Sequence, residues 1–133
     1  MSRYGVDAHA LIWYLESNPR LGANARLAMD NPMSVLFLPI IALAEACWIV
    51  AHSRCRIPTV ANLLTDVDAD PRLVPVPLDR AILSISLELT SVGEMHDRLI
   101  VATALQLAST GQTVTLLTRD ENIRVSGLVP VLW

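Results

Sequence analysis

Four acids, Asp7, Glu45, Asp97 and Asp120, sit where a carboxylate is hard to accommodate. Asp97 opens the stretch His96-Asp-Arg-Leu-Ile-Val-Ala-Thr-Ala104, which reads as the start of a long, buried helix. On a helix of about 3.6 residues per turn, Gln106 lies about 180° around from Asp97. Thr103 and Thr110 flank Gln106, so the polar stripe faces away, and Asp97 shares its side with Val101, Leu105 and Ala108. Glu45 lies in an apolar segment and shares a helical face with Ile41, Trp48 and Ile49. Asp7 directly follows a short strand signal, and Asp120 follows another by two residues.

Each acid alone has an ordinary explanation. Asp7, Asp97 and Asp120 can cap helices or sit favourably in a first turn, and Glu45 can pair with a buried Arg. Taken together these explanations weaken, because the chain has no Lys and all ten of its cationic residues are Arg. Four converging carboxylates repel one another, which raises their pKa values unless a cation is present. Several carboxylates with water in the remaining positions suit Mg²⁺ or Mn²⁺. The chemistry such a site performs is phosphoryl-ester hydrolysis, with the metal activating water and stabilising charge on the phosphate.

The elements that must position these acids alternate between strand and helix. Residues 4–6 read as a strand, followed by a helix over 8–16 that Asn18-Pro19 breaks, and a second helix over 23–30 closed by Asn31-Pro32. Residues 34–38 are an apolar strand, and the Glu45 helix runs from near Pro39 to about Arg54. Thr59 caps a helix whose Val60, Leu63, Leu64 and Val67 form one stripe. Residues 73–76 form a peripheral strand interrupted by Pro75. Asp79 caps a helix that buries Ile82, Ile85, Leu89 and Val92 and turns Ser84, Glu88 and Ser91 to water. The Asp97 helix ends at Gly111, residues 114–117 form a strand, a short helix follows Asp120, and 129–132 form a last strand. Runs 34–38 and 114–117 are continuously apolar, as in parallel strands covered on both faces. The expected fold is an α/β three-layer α/β/α sandwich around a mainly parallel sheet of four to five strands, as one domain over residues 1–133. Asp7 and Asp120 then lie at strand carboxyl ends, where open parallel sheets bind ligands.

Composition narrows the partners. Net charge is −3 and 53% of residues are apolar, which excludes a disordered chain and argues against broad electrostatic coating of nucleic acid, though not against a small acidic site acting on a phosphodiester. Cys47 and Cys55 would lie roughly 12 Å apart on one helix, too far for a disulfide. With no apolar run in residues 1–7, a reducing cytoplasm is expected and no membrane. Residues 35–51 imitate a membrane span, but Pro39 and Glu45 mark a strand followed by a buried helix.

Several lookalikes fail. Asp66-Val-Asp68-Ala-Asp70 opens like a calcium loop, but Pro71 and Pro77 stand where Gly and Glu are needed. Cys47, His52 and Cys55 imitate a zinc triad, yet His52 points about 140° away from Cys47. No glycine-rich phosphate loop or nucleophile elbow is present.

The chain resembles the PIN domains, and within them the VapC-type toxins of prokaryotic toxin–antitoxin pairs. The resemblance spans Val6-Asp-Ala-His-Ala-Leu-Ile-Trp13, Asn18-Pro-Arg-Leu21, Leu43-Ala-Glu45, Asp97-Arg-Leu-Ile-Val-Ala-Thr-Ala104, Thr118-Arg-Asp120 and Val129-Pro-Val-Leu-Trp133. It implies a metal-dependent endoribonuclease with Asp7, Glu45, Asp97 and Asp120 as its acidic site. Hydrolysis by metal-activated water would leave a 5′-phosphate and a 3′-hydroxyl. It further implies a homodimer and inhibition by a small antitoxin that covers the site. Asp7 and Asp97 are the expected direct ligands of Mg²⁺, with Mn²⁺ able to substitute. Glu45 and Asp120 ligate, bind through water or orient the nucleophile. Thr118 is expected to support the site, and Arg98, Arg119 and Arg124 are candidates for RNA contacts, since a guanidinium grips phosphate bidentately. His9 and His96 lie near the acids, but a metal-activated water does not require them. Ala8 stands where many relatives carry Thr or Ser. The alternative is a PIN-like interaction module that binds RNA or protein without cutting it; a phosphatase is a lesser third.

Overall fold

The computed structural model describes residues 2–133. Five strands run parallel in one sheet: β1 (Arg3–Val6), β2 (Val35–Pro39), β3 (Leu73–Val76), β4 (Thr115–Leu117) and β5 (Val131–Leu132). Their order is β3-β2-β1-β4-β5. Seven helices among the described residues connect them: α1 (Ala8–Leu15), α2 (Ala23–Asp30), α3 (Ile40–Ala51), α4 (Val60–Ala69), α5 (Arg80–Glu88), α6 (Met95–Ala108) and α7 (Glu121–Ser126). Successive strand residues point to opposite faces. Leu116 and Leu117 are both 0% exposed, so both faces of the sheet are covered and the layers number three. Chain order reverses between β1 and β4. That is where a parallel sheet leaves a crevice at its carboxyl edge.

Local chemistry explains the element ends. Asp7, Thr59 and Asp79 cap α1, α4 and α5 through bonds from Ala10 N, Asn62 N and Ile82 N. β3 is an edge strand with Val74 and Pro75 exposed, as Pro75 requires. Two helices end earlier than their periodicity suggests. α3 stops at Ala51 rather than Arg54 because Ser53, at φ 54°, closes it in the left-handed region. There Ser53 N bonds Val50 O and Arg54 N bonds Ile49 O, both at 3.0 Å, the Schellman pattern. α1 ends the same way at Ser17, φ 53°. α6 ends at Ala108, three residues short of Gly111, where the Ser109 and Thr110 hydroxyls turn back onto the carbonyls of Gln106 and Leu107.

Three expectations about faces need correction. Thr103 was placed on a polar stripe, but it is 3% exposed and its hydroxyl bonds Leu99 O at 2.7 Å; α6 is covered on both sides through its middle, so a polar side chain there is satisfied by its own helix. In α5, Val92 is buried from the loop beyond the helix, while Ser86 joins Ile82 in the core and Leu83 and Leu87 are exposed. In α3 the core face is Ala42, Leu43, Ala46 and Val50. The other apolar face, with Glu45, is not core: Trp48 is 50% exposed. No helix of the described residues is long and apolar enough to cross a membrane; residues 35–51 are β2 and α3. Cys47 and Cys55 are both free.

Gly22, at the start of α2, lies against Trp133. A Cβ there would come within 2.4 Å of the Trp133 backbone carbon. Gly22→Ala is expected to destabilise the protein by about 1–3 kcal/mol, as overpacking does. It should also disturb the edge-on contact of Trp13 with Trp133. Thermal melting and tryptophan fluorescence check this; an unchanged melting temperature would contradict it.

Candidate active site: an acid cleft at the strand ends

Asp7, Glu45, Asp97 and Asp120 line one cleft of about 290 Å³, together with Ala8, His9, Ile100, Thr118 and Arg119. β1 delivers Asp7, and Asp7 N reaches Leu117 O of the adjacent β4 at 3.5 Å. β4 delivers Thr118 and Asp120. Glu45 projects from the middle of α3 and Asp97 from the first turn of α6. None of the four forms an ion pair among the described residues. The ordinary explanation for Glu45, a pairing with a buried Arg, does not hold among the described residues. Glu45 Oε1 is instead buried without any hydrogen-bond partner, a costly state for a carboxylate oxygen.

The ordinary roles of the acids turn out to coexist with the cleft in two cases and to fail in one. Asp7 Oδ1 accepts from Ala10 N at 2.8 Å and Asp120 Oδ1 from Ile123 N at 2.9 Å, so both cap helices. Asp97 does not cap α6. Glu94 does, accepting from Asp97 N at 2.9 Å. Asp97 is thereby left inside the first turn with its carboxylate free of a helix amide.

Burial is the first cause of the carboxylates' altered acidity, ahead of repulsion. Asp97 is pushed up to about 6, by desolvation and then by the charges of Asp120, Glu94, Glu45 and Asp7. Burial also raises Asp7, which keeps some accessible surface yet is densely surrounded by protein. The Thr118 hydroxyl and the Ala10 amide offset part of that rise. Glu45 is raised by burial, opposed by His96 and reinforced by Glu94 and Asp7.

Thr118 is 1% exposed, and its hydroxyl accepts from Asp120 N at 3.1 Å while lying beside Asp7. It ties two acids together. Arg119 lines the cleft, its guanidinium 4.5 Å from the Trp13 ring centroid. Arg98 does not line it; its Nε donates to Val92 O. Arg124 is engaged by Glu121. The sequence reading missed Glu94. Burial pushes its carboxyl up, but the amides of Asp97 and His96 and the His96 imidazole outweigh this and hold it below the usual range. Its charge reaches both Glu45 and Asp97, and His96 Nδ1 sits 2.9 Å from it. The available signal was a carboxylate three residues before Asp97, in N-cap position. His9 and His96, left aside above, stand at the margin of the acids.

A carboxyl whose folded pKa exceeds its unfolded value of about 4 makes the native state bind more protons between the two, so stability falls as pH rises through that window. For Asp97 the window runs up to about 6. Without metal, Asp97→Asn should therefore be more stable than the parent above that pH. Discounting for partial exposure, the gain is about 1 kcal/mol, and it should vanish toward pH 4. Melts in EDTA across this range test it; a destabilised variant at neutral pH would show that Asp97 serves folding.

Comparison with known proteins agrees with this architecture. Solved structures with the same fold include a toxin–antitoxin complex from Klebsiella pneumoniae, at 20% identity and TM-score 0.67, covering 98% of this chain and 96% of that one. VapBC2 from Rickettsia felis bound to a promoter DNA fragment matches at 16% identity and TM-score 0.66, covering 97% and 96%. FitAB bound to a DNA fragment matches at 19% and 0.60, covering 97% and 93%. No curated protein sequence matches significantly. The family model for the PIN domain matches residues 4–127, nearly the whole chain, and the chain belongs to that family.

Proposed function

We propose that the chain acts as one PIN-like domain with divalent-metal-dependent endoribonuclease activity, the toxin of a VapC-type toxin–antitoxin pair. The observation that carries this reading is the acid cleft: four carboxylates without a cationic partner among the described residues, one with a buried orphan oxygen. Among the described residues, no three His, Cys, Asp or Glu side chains are gathered into a ready-made metal cluster. The donor set nevertheless fits Mg²⁺, which binds through one or two carboxylates and keeps much of its water. Asp7 and Asp97 would hold it directly. When bound, the ion supplies Lewis acidity at the phosphate and makes water acidic enough to act as a nucleophile near neutral pH.

The chain's own residues do the rest. Thr118 fixes Asp7 relative to Asp120. Glu45, which lines the cleft with no ion-pair partner among the described residues, would orient that water. Arg119 stands where it can meet a phosphate oxygen. Water adds to phosphorus, the bond to the 3′-oxygen breaks, and a 5′-phosphate and a 3′-hydroxyl result. The partners in this reading are RNA, an antitoxin that covers the cleft, and a second copy of the chain. Leu83 and Leu87, one turn apart and exposed on α5, support an apolar contact between copies. The setting proposed is the cytoplasm.

Purified protein should cut RNA with Mg²⁺ or Mn²⁺ and stop with EDTA. Asp7→Asn and Asp97→Asn should each lower kcat/KM about a hundredfold or more, the scale of losing a key electrostatic group. Undiminished cleavage in both would end the reading. Failure to bind metal or cut any RNA would favour a non-catalytic interaction module. Metal binding requires deprotonated carboxylates, so affinity for Mg²⁺ should weaken as pH falls below about 6, where Asp97 takes up a proton. Titration calorimetry at several pH values measures this, and a flat profile from pH 5 to pH 8 would contradict it.

A further inference from the structure

A second, larger cavity of about 630 Å³ adjoins the acid cleft and shares Glu45, His9 and Arg119 with it. Its volume is in the range of small-molecule sites. Its walls mix aromatic and aliphatic side chains and its charge is mainly positive: Arg20, Arg54 and Arg119 line it against the single acid Glu45. None of these guanidiniums has a carboxylate or hydrogen-bond partner among the described residues. By contrast Arg3, Arg26, Arg72, Arg80, Arg98 and Arg124 all do; outside the cavity only the exposed Arg56 guanidinium is likewise without a partner among the described residues. The cavity arginines rest on rings instead. Arg119 and Arg20 lie 4.5 and 6.0 Å from the Trp13 centroid, and Arg54 lies 5.1 Å from that of Trp48.

The two rings differ in availability. Trp13 is 5% exposed and locked edge-on against Trp133, so it is a floor. Trp48 is 50% exposed. His52 stacks on it at 4.1 Å but does not line the cavity, whereas Arg54 does. The left-handed turn at Ser53 is what folds Arg54 back over the indole. An acidic protein thus keeps three cations without ion-pair partners among the described residues beside a half-exposed indole that only Arg54 covers on the cavity side, next to four carboxylates with which they do not pair. That combination is a stacking platform with an electrostatic guide.

We propose that this cavity is a subsite for single-stranded RNA, in which an unpaired base beside the scissile phosphate stacks on Trp48 while Arg54, Arg20 and Arg119 hold the flanking phosphates. The proposal rests on the ribonuclease reading for the identity of the polymer. It adds that the strand must be unpaired at this point, because a base inside a duplex cannot reach the ring. Phosphate takes the guanidinium and the base takes its place over the indole, so the stacking face is exchanged rather than uncovered.

The test is binding of a short fluorescein-labelled single-stranded RNA, and of a hairpin of the same composition, by anisotropy in EDTA. Trp48→Ala and Arg54→Ala should each weaken single-strand binding about tenfold, as loss of one stacked base does. Trp48→Phe should retain most of the affinity, and Asp97→Asn should lose none. The hairpin stem should bind no better than the Trp48→Ala variant binds the single strand. With Mg²⁺, Trp48→Ala should raise KM and leave kcat. Unchanged affinity in the two alanine variants overturns the proposal and leaves the cavity to an amphipathic peptide; a Trp48→Phe protein as weak as Trp48→Ala also overturns it. RNA binding that depends on Trp48 without any cleavage would sink the nuclease reading and keep the subsite. Cleavage with an unaltered KM in Trp48→Ala would do the reverse.

Discussion

Negative charge concentrated in one small, partly dry cleft is the constraint around which this molecule is built. Carboxylates in such a place lose hydration and gain repulsion, and none of the four forms an ion pair among the described residues. What holds them is backbone. Asp7 and Asp120 spend one oxygen each on the amide of the third residue of α1 and of α7, and Glu94 does the same for α6. Helix amino ends carry partial positive charge, so the fold brings several of them to the point where the sheet reverses its strand order. The residual imbalance remains, visible in the raised pKa values of Asp97, Asp7 and Glu45 and in the unpartnered Glu45 oxygen.

Most of the scaffold was legible because its signals are local. Continuously apolar strands, Asp-Pro and Asn-Pro breaks, and Thr59 and Asp79 as caps depend on neighbours in sequence. The acids were legible for a different reason: each violated the pattern around it. What escaped were properties fixed by distant packing. The apolar face around Glu45 looked like core, since a hydrophobic stripe does not say whether another element covers it or a cavity opens on it. Thr103 looked solvent-facing because periodicity assumes one buried side, and α6 has two. Glu94 was overlooked as a neighbour of the site because it reads as loop until the cap geometry makes it the N-cap of α6. Of the arginines near the acids in sequence, only Arg119 lines the cleft, whereas Arg20 and Arg54 reach the neighbouring cavity from separate loops.

The exclusive use of arginine gains meaning in this setting. A planar guanidinium can lie flat on an indole and remain charged, which a strongly hydrated ammonium does less well. Arg20, Arg54 and Arg119 lie over rings and form no ion pair with the nearby carboxylates among the described residues. Opposite charges are thereby stored side by side without cancelling. Rigid aromatic support is what permits a cationic wall and an anionic wall in adjoining cavities.

The double duty of Asp7 and Asp120 has a consequence for how such a protein changes over generations. Asn caps a helix as well as Asp does, so exchanging either acid for its amide keeps the structural bond and discards only the charge. At Asp7, whose pKa burial raises, the fold would gain rather than lose by the exchange. Whatever work these carboxylates perform is therefore not protected by the stability of the molecule. A lineage freed from the need for that work would drift into well-folded, inert descendants, and the acids endure only as long as something outside the protein demands them.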